Sequence, residues 1–516
     1  MDRAYDVLIV GGGHAGAEAA AAAARLGARA GLVTLDPQAI GRMSCNPAIG
    51  GVGKGQLARE IDALGGLMGL AADRAAIQFR LLNTSKGRAV QSPRAQCSRP
   101  EYERAVQDLL SAQAGVEVVA GEACDFLWRQ ARGRERGDGP DRFLDGLLLA
   151  DGRELRAPAV VLTTGTFLEG LLHTGLESRQ GGRMGEAGGH HLGESLRRLG
   201  PPTGRLKTGT PPRIAADSVD YSGMQEQPGD PDPTPFSFLS GPIERRQVSC
   251  WLTHTNARTH DLVRANLDQS PMYAGRIAGT GPRYCPSLED KVVRFADRDA
   301  HTVFLEPEGY DSPLLYANGI STSLPAGLQQ EFVRTIAGME RARIVQPGYA
   351  VEYTFVRPGA LRRTLELRDF PGLYLAGQIC GTSGYEEAAA QGLMAGYNAA
   401  LKLMSKQPFV LGRHEAYLGV LIDDLVVSDP REPYRMFTSR AEHRLLLRHD
   451  TADRRLTPRG CAVGGVDQAR FERWEAKEAR LRRAKETLAA TADPAADGGD
   501  GQRRSLLDLL RRQEEQ

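Results

Sequence analysis

Two cysteines lie in settings that could support thiol chemistry. Cys45 lies among glycines and other small residues, with Lys54 nearby in the chain, and Cys285 lies between Arg283 and Lys291. A nearby cation or helix N-terminus favours the thiolate, which is the nucleophilic form of cysteine. For each thiol, a reactive role and a packing role remain open. The other cysteines lack such settings, and packing roles are expected for Cys97, Cys124, Cys250, Cys380 and Cys461.

Histidines occur in two close pairs, His190 with His191 and His254 with His260. A zinc site needs three or four protein ligands in a defined geometry, and neither pair has an evident third ligand in the sequence. We therefore expect these histidines to form hydrogen bonds or to lie at the surface, and we expect no metal site.

Three arginine-rich segments interleave cations with aromatic or glycine residues: residues 181–183, 205–213 and 434–444. Arginine beside tyrosine and phenylalanine suits contact with phosphates and stacking on bases. Such clusters more often form ion pairs or solvated surfaces, so nucleic-acid binding is one of two alternatives. The candidate contacts are Arg183, Arg205, Lys207, Arg213, Arg435 and Arg440.

The N-terminal segment predicts a strand, a glycine turn, a helix and a second strand. An apolar run precedes Gly11, Gly13 and Gly16, and an alanine-rich run follows them. In dinucleotide-binding folds, glycines at this spacing allow a tight turn, close approach of the backbone to a pyrophosphate and close packing of helix on strand. An acidic residue about 20 positions later usually binds the ribose. Here Thr34 and Asp36 are alternatives.

A second segment far downstream has the same pattern. Residues 372–378 predict an apolar strand that ends in a glycine turn, and Tyr385–Gly392 predicts the start of a helix. A buried strand between the two segments ends in Thr164-Gly165-Thr166, as flavoprotein strands often do. A nicotinamide enzyme needs only the first segment, whereas a flavin enzyme commonly has both. We therefore predict that the two segments are the ends of one cofactor site.

Composition limits the class of protein. The chain has 516 residues, 41% of them hydrophobic and 25% charged, with a net charge of +1. This is typical of a soluble protein with two or three domains, and it argues against a globally basic nucleic-acid binder. No long apolar run and no secretory leader are evident, so no membrane span or export is expected. Seven cysteines without a CxxC pair indicate a reducing compartment, which we expect to be the cytoplasm.

Together these segments resemble the GidA (MnmG) family, the flavin subunit of the system that modifies the wobble uridine of tRNA. The matching motifs run from about residue 5 to about residue 460 in family order. Besides the turn at 11–16 they are Cys45–Gly51, Asp62–Gly66, Leu82–Asn83, Ser85–Gly87, Arg205–Arg213, Thr253–Asn256, Ser270–Tyr273, Gly281–Cys285, Phe304–Gly309, Gly377–Gln378 and Glu432–Arg440.

The resemblance implies a specific function. Such proteins bind FAD, reduce it with NADH and act as homodimers with a partner GTPase of the MnmE type. They attach a carboxymethylaminomethyl (aminomethyl) group at C5 of the wobble uridine, with the one-carbon unit from methylene-tetrahydrofolate. The nicotinamide site would lie in the stretch from Gly281 to Phe295. Motif positions imply cofactor contacts at Gly11, Gly12, Gly13, His14, Ala15, Gly16, Cys124, Gln180, Gly281, Pro282, Arg283, Tyr284 and Gln378.

The family's two cysteines correspond to Cys45 and Cys285. A thiolate that adds to C6 of uridine makes C5 nucleophilic, so C5 can attack an electrophilic methylene group. We expect Cys285 to be the adding thiolate, because of its cationic neighbours, and Cys45 to assist as an acid–base or redox thiol beside the flavin. The assignment could be reversed.

The predicted fold class is α/β. An FAD-binding Rossmann-like domain of the two-dinucleotide type would span residues 1–205 and 346–460. The second of these ranges would also include the segment that follows the domain. An inserted α/β NAD-binding domain would span residues 206–345. Residues 461–516 would be a short helical segment. It would correspond to the start of the helical domain with which family members continue.

Other functions remain alternatives. The first is a folate- and FAD-dependent tRNA uridine C5-methyltransferase of the same flavin superfamily. The others are an NADH-flavin oxidase or disulfide reductase, and a non-catalytic flavin-bound scaffold. The chain also departs from the family pattern at a few positions: Cys380 replaces an asparagine beside the second turn, Thr354 replaces an aspartate and His443 replaces a tyrosine.

Overall fold

The computed structural model describes residues 3–130, 142–186, 188–189, 191–283, 286–497 and 503–507. The α-helices are α1 (His14–Arg25), α2 (Lys54–Ala63), α3 (Met68–Ala75), α4 (Arg99–Ser111), α5 (His191–Leu199), α6 (Ala257–Arg264), α7 (Leu288–Arg294), α8 (Ala326–Val333), α9 (Tyr385–Leu403), α10 (Tyr417–Ser428), α11 (Ala452–Val463) and α12 (Gln468–Ala490). The strands of the first half are β1 (Arg3–Ala4), β2 (Val7–Val10), β3 (Ala30–Thr34), β4 (Ala48–Gly50), β5 (Ala76–Leu82), β6 (Ser92–Cys97), β7 (Val116–Ala120), β8 (Ala123–Gln130), β9 (Arg142–Leu149), β10 (Glu154–Arg156), β11 (Ala159–Leu162), β12 (Leu171–Thr174) and β13 (Glu177–Gln180). Those of the second half are β14 (Thr203–Thr210), β15 (Arg213–Ala215), β16 (Gln225–Gln227), β17 (Cys250–His254), β18 (Thr302–Pro307), β19 (Leu314–Asn318), β20 (Ile344–Gln346), β21 (Tyr349–Val356), β22 (Leu373–Leu375), β23 (Ala492–Asp497) and β24 (Arg503–Ser505).

A five-stranded parallel sheet is the framework of the site. Its strand order is β22-β11-β2-β3-β7, so a single strand, β11, separates the two predicted segments. The strands β2, β11 and β22 are short runs of Val, Leu, Ile, Ala and Tyr, and every residue in them is buried. Because the strands are parallel, their carboxyl ends and both glycine turns lie at the same edge of the sheet. The predicted α/β class is confirmed.

Helices α1 and α9, which follow the two turns, pack against each other. Residues His14–Ala24 of α1 are all buried, and most of them are alanines. Gly392 of α9 approaches Ala15 so closely that an added Cβ would lie 2.0 Å from the Ala15 carbonyl oxygen. The small side chains therefore bring the two helix starts together.

Three smaller sheets surround this framework. They have the orders β1-β10-β9-β8, β4-β6-β5 and β13-β12-β21-β14. A turn at Asp151-Gly152 joins β9 to β10, which pair antiparallel. The central strand β21 is buried along its whole length and pairs with β14 from Thr203 to Thr210.

A second unit lies between β14 and β21. Its six-stranded antiparallel sheet has the order β16-β17-β18-β19-β15-β20 and is accompanied by α6, α7 and α8. A separate hydrophobic core, from Ile214 to Ala342, fills this unit. The unit overlaps residues 206–345, where the inserted domain is predicted, but residues 206–210 belong to β14 and pair with β21, and the last strand of the unit, β20, ends at Gln346.

The chain continues beyond the parallel sheet with α10, α11 and α12. Helix α12 lies within residues 461–516, where a helical segment is predicted, and it ends at Ala490. None of the helices in the described ranges is both long enough and apolar enough to cross a membrane.

Candidate functional site

One cavity of 660 Å³ lies at the edge of the parallel sheet where both glycine turns end. Ligand pockets commonly enclose roughly 300–1,000 Å³, so the cavity can hold a large organic ligand. Its lining includes Gly11–Ala15 from the first turn and Gly377-Gln378 from the second. The two segments that are more than three hundred residues apart in sequence therefore line one site.

The first turn presents its backbone to the cavity. Gly11 has φ +109°, and a Cβ on Gly16 would lie 1.8 Å from the Gly11 carbonyl oxygen, so both positions require glycine. A Cβ on Gly13, by contrast, would meet no atom within 4 Å. Open space beside Gly13 at the start of α1 is a place where an anion can reach free backbone N–H groups.

His14 begins α1 and is buried in the wall of the cavity. Its ring stacks on that of Tyr385, with centroids 4.4 Å apart, and lies 5.5 Å from the ring of Tyr102. Burial lowers the pKa of His14 to about 4, so the imidazole is neutral at physiological pH. No described residue provides a hydrogen-bond partner for its Nε2 atom.

Two candidates for contact with a ribose lie at the carboxyl end of β3. Thr34 and Asp36 both line the cavity. Thr34 is buried, whereas Asp36 is exposed and its Oδ1 accepts a hydrogen bond from the Gln38 N–H at 2.9 Å. The geometry leaves both residues available to a ligand.

Hydrogen bonds to Gln391 of α9 hold the second turn in place. The Gly377 N–H donates to Gln391 Oε1 at 3.0 Å, and Gln391 Nε2 donates to Cys380 Sγ at 2.8 Å. Cys380 is fully buried, and burial raises the pKa of its thiol to about 12. The departure at Cys380 therefore places a neutral thiol behind the turn, while Gln378 lines the cavity itself.

Lys54 is bound to buried carboxylates rather than to the nearby thiol. Its Nζ atom lies 3.0 Å from Glu386 Oε2 and 2.9 Å from Glu387 Oε2, at the start of α9. The Gly50 N–H also donates to Glu386 Oε1 at 2.6 Å. Burial opposes ionisation of Glu386, but Lys54 outweighs it and holds the pKa of Glu386 below its usual value. The sequence left open whether a nearby cation or a helix N-terminus would activate Cys45. This geometry gives no support to activation by Lys54, because Lys54 is bound to the two carboxylates.

The thiol of Cys45 points into the cavity wall between the two units. Its Sγ atom lies 2.9 Å from the Tyr316 hydroxyl oxygen and 3.7 Å from the Gly209 carbonyl oxygen. Cys45 is partly exposed and lines the cavity. The second predicted catalytic thiol, Cys285, lies outside the described residues, so its role stays a prediction.

The predicted basic residues have different surroundings. Arg183 and Arg435 line the cavity. The Arg183 Nη1 atom lies 3.2 Å from Glu186, and burial lowers the pKa of the Arg183 guanidinium. Arg440 packs on the Tyr434 ring at 4.1 Å.

The basic residues on and after β14 do not line the cavity. Arg205 Nη2 lies 3.3 Å from Glu352 Oε2, and Arg213 Nε lies 3.0 Å from Glu308 Oε1. Lys207 is buried on the same strand. The sequence could not indicate these ion pairs, because each carboxylate lies far away in the chain.

Several predicted cofactor contacts lie off the cavity. Its lining includes Glu122 and Ala123 but not Cys124, whose Sγ donates to the Leu148 carbonyl at 3.3 Å. Gln180 is exposed on β13. These contacts stay predictions.

The residues just before the predicted nicotinamide stretch pack against β14 and β21. The Gly279 N–H donates to Glu352 Oε1 at 2.6 Å, and Thr280 accepts from the Lys207 N–H at 3.0 Å. Gly281, Pro282 and Arg283 do not line the cavity, and Tyr284 lies outside the described residues; Pro286 and Lys291, further along the same stretch, do line it.

The inserted unit contributes cavity residues that the sequence did not indicate. Tyr316 and Asn318 at the end of β19, with Ser321, line the cavity opposite the first turn. Tyr316 and Asn318 belong to an ordinary strand, and no motif in the sequence marks them. The Tyr316 hydroxyl connects this sheet to the thiol of Cys45.

Of the histidines in the two predicted pairs, His260 forms a hydrogen bond, whereas His191 and His254 are exposed. His260 Nε2 lies 2.7 Å from the Thr255 hydroxyl, and its ring lies 5.0 Å from that of His301. His190 lies outside the described residues. Over the ranges that the structure describes, no three His, Cys, Asp or Glu side chains are placed to hold a metal ion.

Comparison with known proteins identifies the family. Two curated relatives named "tRNA uridine 5-carboxymethylaminomethyl modification enzyme MnmG", from Salinibacter ruber and Rhodopirellula baltica, are each 52% identical to the chain over 94% of its length and 72% and 74% of theirs. The solved structure of Aquifex aeolicus GidA superimposes with a TM-score of 0.90 at 42% identity, over 99% of this chain and 81% of that one. The family model for glucose inhibited division protein A matches residues 6–407. The predicted family is therefore confirmed, and the chain belongs to the glucose inhibited division protein A (GidA) family.

Proposed function

We propose that this chain is an FAD-dependent enzyme that modifies the wobble uridine of tRNA, adding a carboxymethylaminomethyl or aminomethyl group at C5. One observation carries the proposal: a single cavity contains both glycine turns and the thiol of Cys45. The substrate and the product come from the names of the relatives at 52% identity.

FAD fits the residues of the cavity. Gly11–Ala15 would hold the pyrophosphate, because the open space beside Gly13 admits a phosphate to the N–H groups at the start of α1. The unpartnered Nε2 of neutral His14 could donate a hydrogen bond to the same group. Gln378 would lie at the flavin ring. FAD, when bound, supplies redox chemistry that protein side chains lack.

NADH is the proposed reductant. The inserted unit supports this role, because Pro286 and Lys291 from the predicted nicotinamide stretch line the same cavity as the glycine turns. The Lys291 Nζ donates to the Gly319 carbonyl at 2.7 Å, which fixes this cation at the cavity wall. A reductant bound along this stretch would lie next to the flavin site.

The two cysteines would act on the uracil ring. A thiolate that adds to C6 forms a sulfur–carbon bond and leaves an enolate, whose C5 attacks the methylene group of the folate. The C5 proton and tetrahydrofolate then leave, which exposes an exocyclic methylene group. The glycine amine adds to this methylene and loses a proton, and elimination of the thiolate restores the ring. We keep Cys285 as the adding thiolate and Cys45 as the assisting thiol, which is supported by the position of Cys45 in the cavity wall.

The tRNA would approach the cavity from the side of Arg183 and Arg435. These are the two predicted basic residues that line it, and arginine suits contact with phosphates and bases near a looped-out nucleotide. The ion pairs of Arg205 and Arg213 favour a structural role for those two residues.

The remaining components are proposed from the family resemblance. They are a partner GTPase of the MnmE type, methylene-tetrahydrofolate as the one-carbon donor, a homodimeric assembly and a cytoplasmic location. Product that forms only when this GTPase is present would support its role as the partner.

Mass spectrometry of wobble nucleosides tests the proposal. Unmodified tRNA is incubated with the chain, FAD, NADH, methylene-tetrahydrofolate and glycine, with and without the GTPase. The expected product is carboxymethylaminomethyluridine, formed only with the GTPase. A 5-methyluridine product would instead indicate the methyltransferase, and no product under any condition would indicate a scaffold.

Cysteine variants make this assay specific. Cys45→Ser and Cys285→Ser should each abolish the product, whereas Cys461→Ser, on the distant helix α11, should form it at the wild-type rate. Full activity of both Cys45→Ser and Cys285→Ser would remove the thiol mechanism.

A further inference from the structure

The hydroxyl of Tyr316 makes the shortest contact to the thiol of Cys45. The two atoms lie 2.9 Å apart, and Tyr316 is buried on β19 of the inserted unit, whereas Cys45 precedes β4. Among the described residues, the only other polar atom within hydrogen-bond reach of Sγ is the Gly209 carbonyl oxygen, at 3.7 Å. A side chain from one unit thus meets the candidate reactive thiol of the other.

The backbone on both sides of the thiol is held in place. The Cys45 N–H donates to the Tyr385 hydroxyl oxygen at 2.6 Å. The Cys45 carbonyl oxygen accepts from Arg99 Nη2 and, at 3.4 Å, from Arg213 Nη2. Because the backbone is fixed, the Sγ–hydroxyl contact is part of a built arrangement rather than a chance rotamer.

Tyr316 is held by its strand partner. Arg213 and Tyr316 are directly paired across β15 and β19, and the Arg213 guanidinium lies 4.8 Å from the centre of the Tyr316 ring. Arg213 is in turn held by Glu308 at 3.0 Å and by the Thr210 hydroxyl at 2.6 Å. The ring of Tyr316 therefore has little freedom to turn its hydroxyl away from Cys45.

The two neighbours of Sγ favour different protonation states. The Gly209 carbonyl can only accept a hydrogen bond, so it can contact a thiol but cannot stabilise a thiolate. The Tyr316 hydroxyl can donate, and a hydrogen bond to a charged acceptor is roughly twice as strong as one between neutral groups. Tyr316 therefore supplies the stabilisation that a thiolate needs at this position.

We propose that Tyr316 is a positioning residue that donates a hydrogen bond to the Cys45 thiolate and makes the reactivity of this thiol depend on the inserted unit. Arg213, predicted from sequence as a tRNA contact, orients Tyr316 from the neighbouring strand. This inference rests on the proposed function only in treating Cys45 as a reactive thiol.

Alkylation of Cys45 by iodoacetamide tests the proposal. The reaction forms a sulfur–carbon bond and releases iodide, and the thiolate is the form that reacts, so its rate reports the thiolate as pH is varied. Peptide mass spectrometry measures the rate at Cys45 in the wild type and in Tyr316→Phe. The rate at neutral pH should fall about tenfold in Tyr316→Phe, because the thiolate loses its hydrogen-bond donor. An unchanged rate would overturn the proposal.

Two controls separate this role from a general change of structure. Tyr221→Phe removes a hydroxyl of the same inserted unit that donates to the Ala216 carbonyl at 3.2 Å and does not line the cavity, so its rate at Cys45 should equal that of the wild type. The alkylation of Cys461 in the same samples should be identical in all three proteins. An equal fall in Tyr221→Phe would overturn the specific role of Tyr316.

A second substitution keeps the test decisive if Tyr316→Phe fails to fold. Replacement of Tyr316 by 3-fluorotyrosine retains the ring and makes its hydroxyl a stronger donor, so the alkylation rate at neutral pH should rise. A rate that stays the same would contradict the proposal. Because alkylation needs no tRNA, it is independent of the nucleoside assay, so variants that show the expected rates in a protein that forms no modified uridine would refute only the proposed function.

Discussion

Gly392 lies directly on the carbonyl of Ala15: an added Cβ would be 2.0 Å from the Ala15 oxygen. One turn later on α9, a Cβ on Gly396 would be 2.3 Å from the Ala19 oxygen. Helices α1 and α9 therefore cross at backbone contact, and this contact sets the distance between the two glycine turns that line the cavity.

Gly392→Ala should destabilise the protein and weaken its binding of FAD. The added methyl must push α9 away from α1, at a cost of about 1–3 kcal/mol, which exceeds the gain of at most about 1 kcal/mol in helix propensity. Thermal unfolding and FAD titration measure the two effects. Gly327→Ala, in α8 with no atom within 4 Å of its added Cβ, should be neutral or stabilising. Equal behaviour of the two variants would contradict the packing argument.

Gly13→Ala and Gly16→Ala should separate binding from folding. A Cβ on Gly16 would overlap the Gly11 carbonyl at 1.8 Å, so Gly16→Ala should lower both the melting temperature and the FAD content. A Cβ on Gly13 meets no protein atom, and its φ of −72° suits alanine, so Gly13→Ala should melt like the wild-type apoprotein. The methyl would nonetheless occupy the space proposed for the pyrophosphate. Normal FAD affinity in Gly13→Ala would contradict that placement.

Lys54→Met should destabilise the fold strongly. It leaves the buried carboxylates of Glu386 and Glu387 without their cation, and the loss of one partner of a buried ion pair typically costs about 3–5 kcal/mol. Lys406→Met, at an exposed position just after α9, is the matched control and should change the melting temperature little. A small effect at Lys54 would show that the ion pairs contribute little to stability.

Glu18 should give the protein a stability that falls with rising pH. Burial raises the pKa of Glu18 from 4.5 to about 7, against the opposing hydrogen bonds from the N–H groups of Leu67 and Met68. Below pH 4.5 the carboxyl is protonated in both states; between pH 4.5 and 7 only the folded state keeps the proton, so its stabilising contribution is lost as pH rises. The total is about 3 kcal/mol.

Glu18→Gln tests this pH dependence, because the amide does not titrate. Urea unfolding at several pH values should show a shallower decline in stability between pH 4.5 and 7 for the variant than for the wild type. Parallel curves would mean that Glu18 keeps an ordinary pKa in the folded protein.

The sequence predicts those parts of the site that depend on local backbone requirements. Gly11 and Gly16 are needed for the shape of one turn, and Gly377-Gln378 follows a recognisable buried strand, so each is visible as a short pattern. The pairing order β22-β11-β2 then brings both turns to one edge of the sheet.

The contacts between distant segments could not be predicted in this way. The carboxylates that bind Lys54 are 332 and 333 positions away in the chain, and Tyr316 lies 271 positions from Cys45. Arg213 lies in a basic segment, which indicates contact with nucleic acid, and the segment does not indicate the buried ion pair that Arg213 forms with Glu308. Which side chains neutralise one another is decided by packing, which short patterns do not record.

A crystal structure of the FAD complex tests the central claim most directly. The account predicts FAD in the cavity between the turns, with its pyrophosphate at Gly11–Ala15 and its flavin ring beside Gln378 and Cys45. A cavity that stays empty at saturating FAD, or a flavin ring bound away from Cys45, would contradict it.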